Sequence, residues 1–541
     1  MRLTIDRRAL LAAGTWGLGA IALGAGRAVA QILDGRGFTH GVASGEPGAD
    51  SVLLWTRYVG DGAATLKVEL AEDAAFAKIA GGAEVRTGPW RDWTAKATVT
   101  GLAPATRYHY RFVAPDGSMS PVGRTRTLPG SGAERFALAV FSCANLPFGH
   151  FNAYAHAAQR GDIDLALHLG DYYYEYRRAY YPDAKDVVAG RVIEPAGETI
   201  ALADYRLRHA CYRADPDLRA LHAAVPMIAS WDDHESANDS WEGGAQNHDA
   251  DEGDWNMRKS AAMQAWREWL PVSEEPWKGY DLGNLGTLYR TDTRLAARTR
   301  QAHLDIPAGG NVGAAVAAFR DGIWMDPSAT MMGTAQEAWL SAAMRASVAA
   351  GRRWQLLGSG TLVGKLILPP EAPDWLDPGA PGYYRTSMAS GVAMGRAGMP
   401  FNMDSWGGYP VARARLLSMA QSAEADLIVL AGDSHNAWSF DLAHGGKPAG
   451  VEFGGQSVTS PGYESVTRKI GAAAVARGLI AASPELKWAD TEHRGYMRVE
   501  LTPQRASCEW VNMATIATRS VATVPGKTLS VLPGRRVLQG V

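Results

Sequence analysis

Four short apolar runs set the pattern of the central and C-terminal parts of this chain: FALAVFSC (136–143), DLALHLGD (164–171), VPMIASWDDHE (225–235) and ADLIVLAGDSH (425–435). Each is too short for a core helix and stops at once on glycine, serine or an acidic residue, so each predicts a strand buried on both faces. Between the first two runs, HFNAYAHAAQR (150–160) has helical spacing. Strand, helix and strand in that order predict a β-α-β unit with parallel strands. The N-terminal part follows a different rule. SVLLWTRYV (51–59), TLKVELAED (65–73) and WTAKATVTGL (93–102) alternate apolar and polar residues, which predicts half-buried strands of an antiparallel sheet.

These patterns divide the chain. Residues 38–129 predict a small all-β domain. In GLAPATRYHYRF a Leu-x-Pro-x-Thr turn leads into Tyr108, with Tyr110 and Phe112 on the same strand face, as at the corner of immunoglobulin- or fibronectin-like sandwiches. A Gly, Pro and Ser-rich linker, LPGSGAER (128–135), leads to an α/β region over about 135–515. GYMRVELTP and ASCEWVNM predict its closing hairpin, with Cys508 in a packing role. The last stretch, 516–541, holds Pro525, Gly526, Pro533 and Gly534 and is expected to be an irregular tail.

Residues 1–30 change the cellular picture. A basic start, a glycine-broken apolar stretch and Ala28-Val29-Ala30 ahead of Gln31 predict an export signal, and the paired Arg7 and Arg8 suit the twin-arginine export machinery. The expected location is therefore periplasmic or secreted. No later run is long and apolar enough to predict a stable membrane span. The net charge is −2 and the leader is itself basic, so no basic stripe remains for a nucleic-acid-binding surface. Three scattered cysteines make neither a disulfide framework nor a zinc ribbon.

The chemistry lies where the apolar runs end. In open α/β sheets sites form beyond the carboxyl ends of strands. The first run delivers Cys143, the second Asp171 and Tyr174, the third Asp232, Asp233 and His234, and the fourth Asp433 and His435. A carboxylate can bridge two cations, and thiolate and phenolate are donors for a trivalent metal that deprotonates them. A single such string is weak evidence. Four buried strands that each end in metal-competent residues predict a site for two or more cations.

The order SC, GDYYYEY, DYRLRHACYRADPDLRALHAAVPMIASWDDHE, DTR and GDSH resembles the PhoD-like alkaline phosphatase and phosphodiesterase family, within the calcineurin-like metallophosphoesterases, over essentially the whole mature chain. The resemblance implies an α/β metallophosphoesterase sandwich, two mixed sheets flanked by helices, preceded by the small all-β immunoglobulin/fibronectin-like domain. It implies Fe(3+) held by Cys143, Asp171, Tyr174 and His435. It also implies Ca(2+) nearby, with Asp171 shared and with Asp233 and Asp433 as further ligands. Asp232 stays a ligand candidate, because the sequence does not say which member of the pair points inward. His234 is implied to stand beside the phosphate as a proton or hydrogen-bond donor. The activity implied is an exported metal-dependent phosphatase and phosphodiesterase acting on phosphate mono- and diesters for phosphate scavenging. The alternatives are a phospholipase-D-like activity on the same site or a metal-retaining binding protein. Arg206, Arg208 and Arg213, at helical spacing, are expected on a solvated or salt-bridged face, and Arg294 is a possible phosphate contact. The segment 236–254 is longer and more polar than the family's compact form, so the chain departs from the resemblance at the substrate entrance.

Overall fold

This computed structural model describes residues 35–305 and 311–541, and they build three sheets. The expected export leader lies outside the described residues. The chain opens with β1 (Gly37–Gly45), β2 (Ser51–Val59), β3 (Ala64–Ala71), β4 (Ile79–Thr87), β5 (Thr94–Thr100), β6 (Arg107–Val113) and β7 (Gly123–Arg126). A four-stranded sheet, ordered β4-β3-β6-β7, packs against β1, β2 and β5. The alternation predicted for this part is present. Tyr108, Tyr110 and Phe112 of β6 point inward and share one apolar core with Leu54 and Val68. The Ala103 N–H donates to the Tyr108 hydroxyl at 2.9 Å, as the corner motif predicts.

The α/β region follows with β8 (Phe136–Phe141), β9 (Leu165–His168), β10 (Met227–Ala229), β11 (Lys278–Asp281), β12 (Gly286–Arg290), β13 (Trp354–Ser359), β14 (Leu427–Ala431), β15 (Ala437–His444), β16 (Lys447–Gly454) and β17 (Leu486–Asp490). The chain ends with β18 (Gly495–Leu501), β19 (Ala506–Met513), β20 (Thr523–Val524), β21 (Thr528–Val531) and β22 (Leu538–Gln539). The first large sheet runs β22-β21-β19-β18-β8-β9-β10-β1-β2-β5, with β20 beside β19; the second runs β11-β12-β13-β14-β16-β15-β17. β8, β9 and β10 are parallel, and the expected β-α-β crossover through the helix Asn152–Gln159 joins β8 to β9. Leu138, Val140 and Leu167 of the first sheet meet Leu356, Ile428 and Phe453 of the second, and helices cover both outer faces. A strand between another sheet and a layer of helices is buried on both sides, which is why its sequence is continuously apolar.

The expected small all-β domain is present and is joined to the rest: β1 pairs in parallel with β10 at Gly45↔Met227, so one sheet runs from the N-terminal part into the α/β region. A Cβ on Gly45 would stand 2.2 Å from the Pro271 carbonyl oxygen, so only glycine permits that junction. The stretch 516–541 is not irregular. β20 and β21 pair with β19, and β22 pairs with β21 to form the edge of the large sheet. Its prolines and glycines separate short edge strands instead of ending the order. In the helix Leu202–Arg213, Arg206 does pair with Glu268, but Arg208 and Arg213 are fully buried. Spacing fixes the face on which a residue lies and not how deep that face is covered.

Candidate metal centre

The site is assembled from the loops that leave the carboxyl ends of β8, β9 and β10 in one sheet and β14 in the other. Four of its residues share an uncommon backbone state: Cys143, Asp171, Asp433 and His435 have φ of 58°, 53°, 66° and 60°. A non-glycine residue held there costs ~1–3 kcal/mol, and such strain persists only where the surroundings over-determine it. The surroundings do so here. The Cys143 N–H donates to the Gly170 carbonyl at 3.2 Å and the Ala144 N–H to that of Asp171 at 2.8 Å. Gly170, at φ 109°, lies so close to the next loop that a Cβ on it would be 2.4 Å from that of Asp232.

Two groups of donors result. Ligand atoms of Cys143, Asp171 and His435 lie within 4.8 Å of one another, and so do those of Asp171, Asp233 and His234. Asp171 belongs to both. Tyr174 joins the first group: its hydroxyl donates to Asp171 Oδ2 at 3.1 Å, lies 3.1 Å from His435 Nε2 and accepts from Ser460 Oγ at 2.7 Å. His435 Nδ1 donates to the Pro461 carbonyl at 2.9 Å, which leaves Nε2 as the nitrogen with a lone pair for the group. Asp433 stands alongside, accepting from Thr361 Oγ1 at 3.1 Å, outside both tight groups.

The electrostatics fit a cation. Burial, reinforced by Asp233 and Asp232 against the pull of His234, pushes the Asp171 carboxyl well above its usual range. Burial and Asp171 do the same to the Cys143 thiol and the Tyr174 phenol, and burial with Asp232 and Asp233 raises Asp433. Asp171 Oδ1 is buried with no hydrogen-bond partner among the described residues. Crowded acids and an orphaned oxygen make a poor protein core and a good donor set, because a bound cation reverses the penalty on each anion. His435 is pushed down to about 3, mainly by burial, and is therefore neutral and able to ligate.

His234 is built differently. Its Nδ1 meets Glu175 Oε2 at 2.7 Å, and its ring lies 4.1 Å from that of Tyr174, centroid to centroid. Burial alone would lower its pKa, but Asp233, Glu175 and Asp171 outweigh burial and hold it well above the ordinary value. Burial would likewise raise Glu175, yet His234 overrides it and keeps the carboxyl low. Without a cation in the site, both directions favour an imidazolium paired with a carboxylate. Glu175 is further fixed by the Asn238 N–H and by Asn247 Nδ2, both at 2.8 Å.

The structure separates the aspartate pair. Asp232 receives Arg294 Nε at 2.8 Å and Nη2 at 3.0 Å, one on each oxygen, while Asp233 turns to the second group and accepts the Asp239 N–H at 2.7 Å. Asp232 is thus the arginine-bound member and not part of either donor group, a correction to its place among the ligands. Arg294 is corrected with it: fully buried between Asp232 and Asp404, it has no free face for a phosphate. Sequence reasoning missed Glu175, Ser460 and Thr361. It also missed Arg208, which donates to the carbonyls of Tyr174, Tyr176, Pro195 and Gly197 and so pins the loop that carries Asp171 and Tyr174. The segment 236–254 contributes Asn238, Asp239 and Asn247 to the support of Glu175 and Asp233, a larger part than shaping an entrance.

Comparison with known proteins places the chain in a family. The family model described as PhoD-like phosphatase matches residues 138–510, and that of the PhoD-like phosphatase N-terminal domain matches residues 25–129. The chain belongs to the PhoD-like phosphatase family and is a phosphoric ester hydrolase. Among individual proteins it is similar to alkaline phosphatase D of Bacillus subtilis (strain 168), with 32% identity over 519 residues, covering 91% of this chain and 79% of that protein. A solved structure of PhoD superposes with a TM-score of 0.76 at 28% identity, covering 94% of this chain and 92% of that one.

Proposed function

We propose that this phosphoesterase is an exported, metal-dependent phosphatase and phosphodiesterase that hydrolyses phosphate mono- and diesters to scavenge phosphate. The observation that carries the metal reading is Asp171, a buried carboxylate common to two donor groups and left with one unpaired oxygen. Thiol, phenol, imidazole and carboxylate in Cys143, Tyr174, His435 and Asp171 suit Fe(3+). The carboxylates of Asp171, Asp233 and Asp433 suit Ca(2+), which takes oxygen donors. Bound there, such cations would supply Lewis acidity toward the phosphate and the attacking water. Because calcium does not take imidazole, His234 is read as the group beside the leaving oxygen. Glu175 holds its Nδ1, so Nε2 is the atom from which a proton passes to the departing alkoxide as the phosphorus–oxygen bond breaks. Arg7, Arg8 and Ala28-Val29-Ala30 support twin-arginine export to the periplasm or beyond, and no helix among the described residues is long and apolar enough to cross a membrane.

The test is metal analysis and spectroscopy of protein purified through its own export route, with 4-nitrophenyl phosphate and bis(4-nitrophenyl) phosphate as substrates. Iron, a visible charge-transfer band that Cys143→Ala bleaches or shifts, and turnover of both esters are expected. Full activity without iron, or an unchanged band in the variant, would remove Cys143 and the ferric assignment.

A further inference from the structure

Beside the donor groups opens a cavity of about 300 Å³ whose inner wall includes Asp433 and His435. Its floor is apolar: Leu366, Leu368 and Met388 are nearly fully buried and Trp438 completely so. Its mouth is aromatic. Tyr383 and Tyr384, at the start of the helix Gly382–Arg396, have ring centroids 4.3 Å apart, and Tyr383 is 62% exposed. Ser387 and Asn402 place a hydroxyl and an amide among these walls. Among the described residues the lining holds no lysine, arginine or glutamate. An aromatic and apolar wall with a few neutral polar groups is the lining that orients an uncharged ring, and without a cation it has nothing to hold a second phosphate or an anionic headgroup.

The cavity lies on the Asp433 and His435 side, and His234 is not part of its wall. On the reading given under the proposed function, the leaving oxygen stands at His234. We propose that this cavity is the subsite for the retained alcohol of a phosphodiester, and that it selects an uncharged ring-bearing group such as a nucleoside. Water adds to phosphorus, the bond to the group beside His234 breaks and takes the proton, and the ester to the ring-bearing alcohol stays intact in the product. The volume sits at the lower end of the ~300–1,000 Å³ that takes a compact ring-bearing molecule. A pair of long acyl chains would have to lie outside it.

The experiment compares three diesters with one common leaving group on the metal-loaded enzyme: thymidine 5′-(4-nitrophenyl phosphate), methyl 4-nitrophenyl phosphate and hexadecyl 4-nitrophenyl phosphate. The thymidine ester is expected to exceed the methyl ester by about tenfold in kcat/KM, or ~1.4 kcal/mol, expressed mainly in KM. That ratio should fall toward one both in Tyr384→Ala, which opens the wall, and in Ser387→Trp, which fills the space. Equal kcat/KM for the thymidine and methyl esters, or a ratio untouched by both substitutions, would overturn the subsite. The hexadecyl ester as best substrate would overturn it in favour of an acyl chain. No release from any of the three, nor from 4-nitrophenyl phosphate, would instead strike the hydrolytic reading, and the subsite with it.

Discussion

Glu175 acts on the site through one hydrogen bond, and its own position is set by three. Both its oxygens are engaged inside the protein, by His234 on one and by Asn238 and Asn247 on the other. Glu175→Gln keeps the shape but removes the anion that stabilises the imidazolium and fixes its orientation. A ~10–100-fold loss in kcat is expected, the scale seen when a supporting partner is removed. KM should change little, and alkyl esters should suffer more than nitrophenyl esters, whose leaving group needs less protonation. Equal loss on both, together with depleted metal, would make His234 a ligand instead. Gly170→Ala probes the strain beneath Asp171. The residue needs φ 109° and has no room for a methyl group against Asp232, so a cost of about 2–5 kcal/mol in unfolding free energy is expected. An unchanged denaturation midpoint would show that the two loops do not constrain each other. At this scale the donor residues were legible because each lies in a loop that leaves a buried strand. Glu175 was not: it lies between Tyr174 and Tyr176 with no pattern of its own, and its partner is remote in the chain.

Glu452 of β16 ties an element to the floor of the cavity. Its carboxyl accepts the N–H groups of Val363 at 2.8 Å and Gly364 at 2.5 Å, on the loop whose Leu362 and Gly364 line that space. Burial outweighs these donors and pushes the group up to about 7. Below the unfolded value, 4.5, both states are protonated and pH has no effect through this group. Between that value and about 7 the folded state keeps a proton that the unfolded state has lost, so stability falls as pH rises and then levels off. Glu452→Gln should therefore flatten the decline in denaturant midpoint across this window. A variant as steep as the parent would assign the slope to other groups. β8, β9, β10 and β14, the strands that lead into the site, were readable from their apolar runs. β20 and β22 span two residues each and β21 four, too short to leave a period; β20 and β21 form on the edge that β19 offers, and β22 on that of β21. The buried Arg208 and Arg213 escaped for a related reason. Helical spacing looks the same whether a face meets water or, as with Arg213 set 4.3 Å above the Trp55 ring, a neighbouring unit.

Across the whole molecule, the N-terminal strands and the α/β region unfold together if the sheet that links them is one cooperative body. Besides the β1 and β10 pairing, Trp55 Nε1 donates to the Glu268 carbonyl at 2.8 Å, Trp269 Nε1 to Asp92 at 3.1 Å, and Arg290 pairs with the buried Glu46 at 2.6 Å. A single thermal transition is expected for the protein, and deletion of residues 37–129 should leave no soluble, active remainder. Two resolved transitions would refute that. His109→Gln, on β6, should leave kcat near its starting value; a loss beyond about a hundredfold, the scale of a missing acid or base, would place a catalytic group in the N-terminal part. The same sheet also has an order of assembly. β8, which leads into Cys143, is flanked by β9 on one side and by β18 on the other. Roughly 350 residues separate β8 from β18, so at ~5–20 residues per second a ribosome needs tens of seconds between making the two. The strand that presents the first donor stays half-paired until β18 has been made. An ion seated between Cys143 and His435 would then enter a chain already made as far as β18, and on the export route proposed above it would do so before the membrane is crossed.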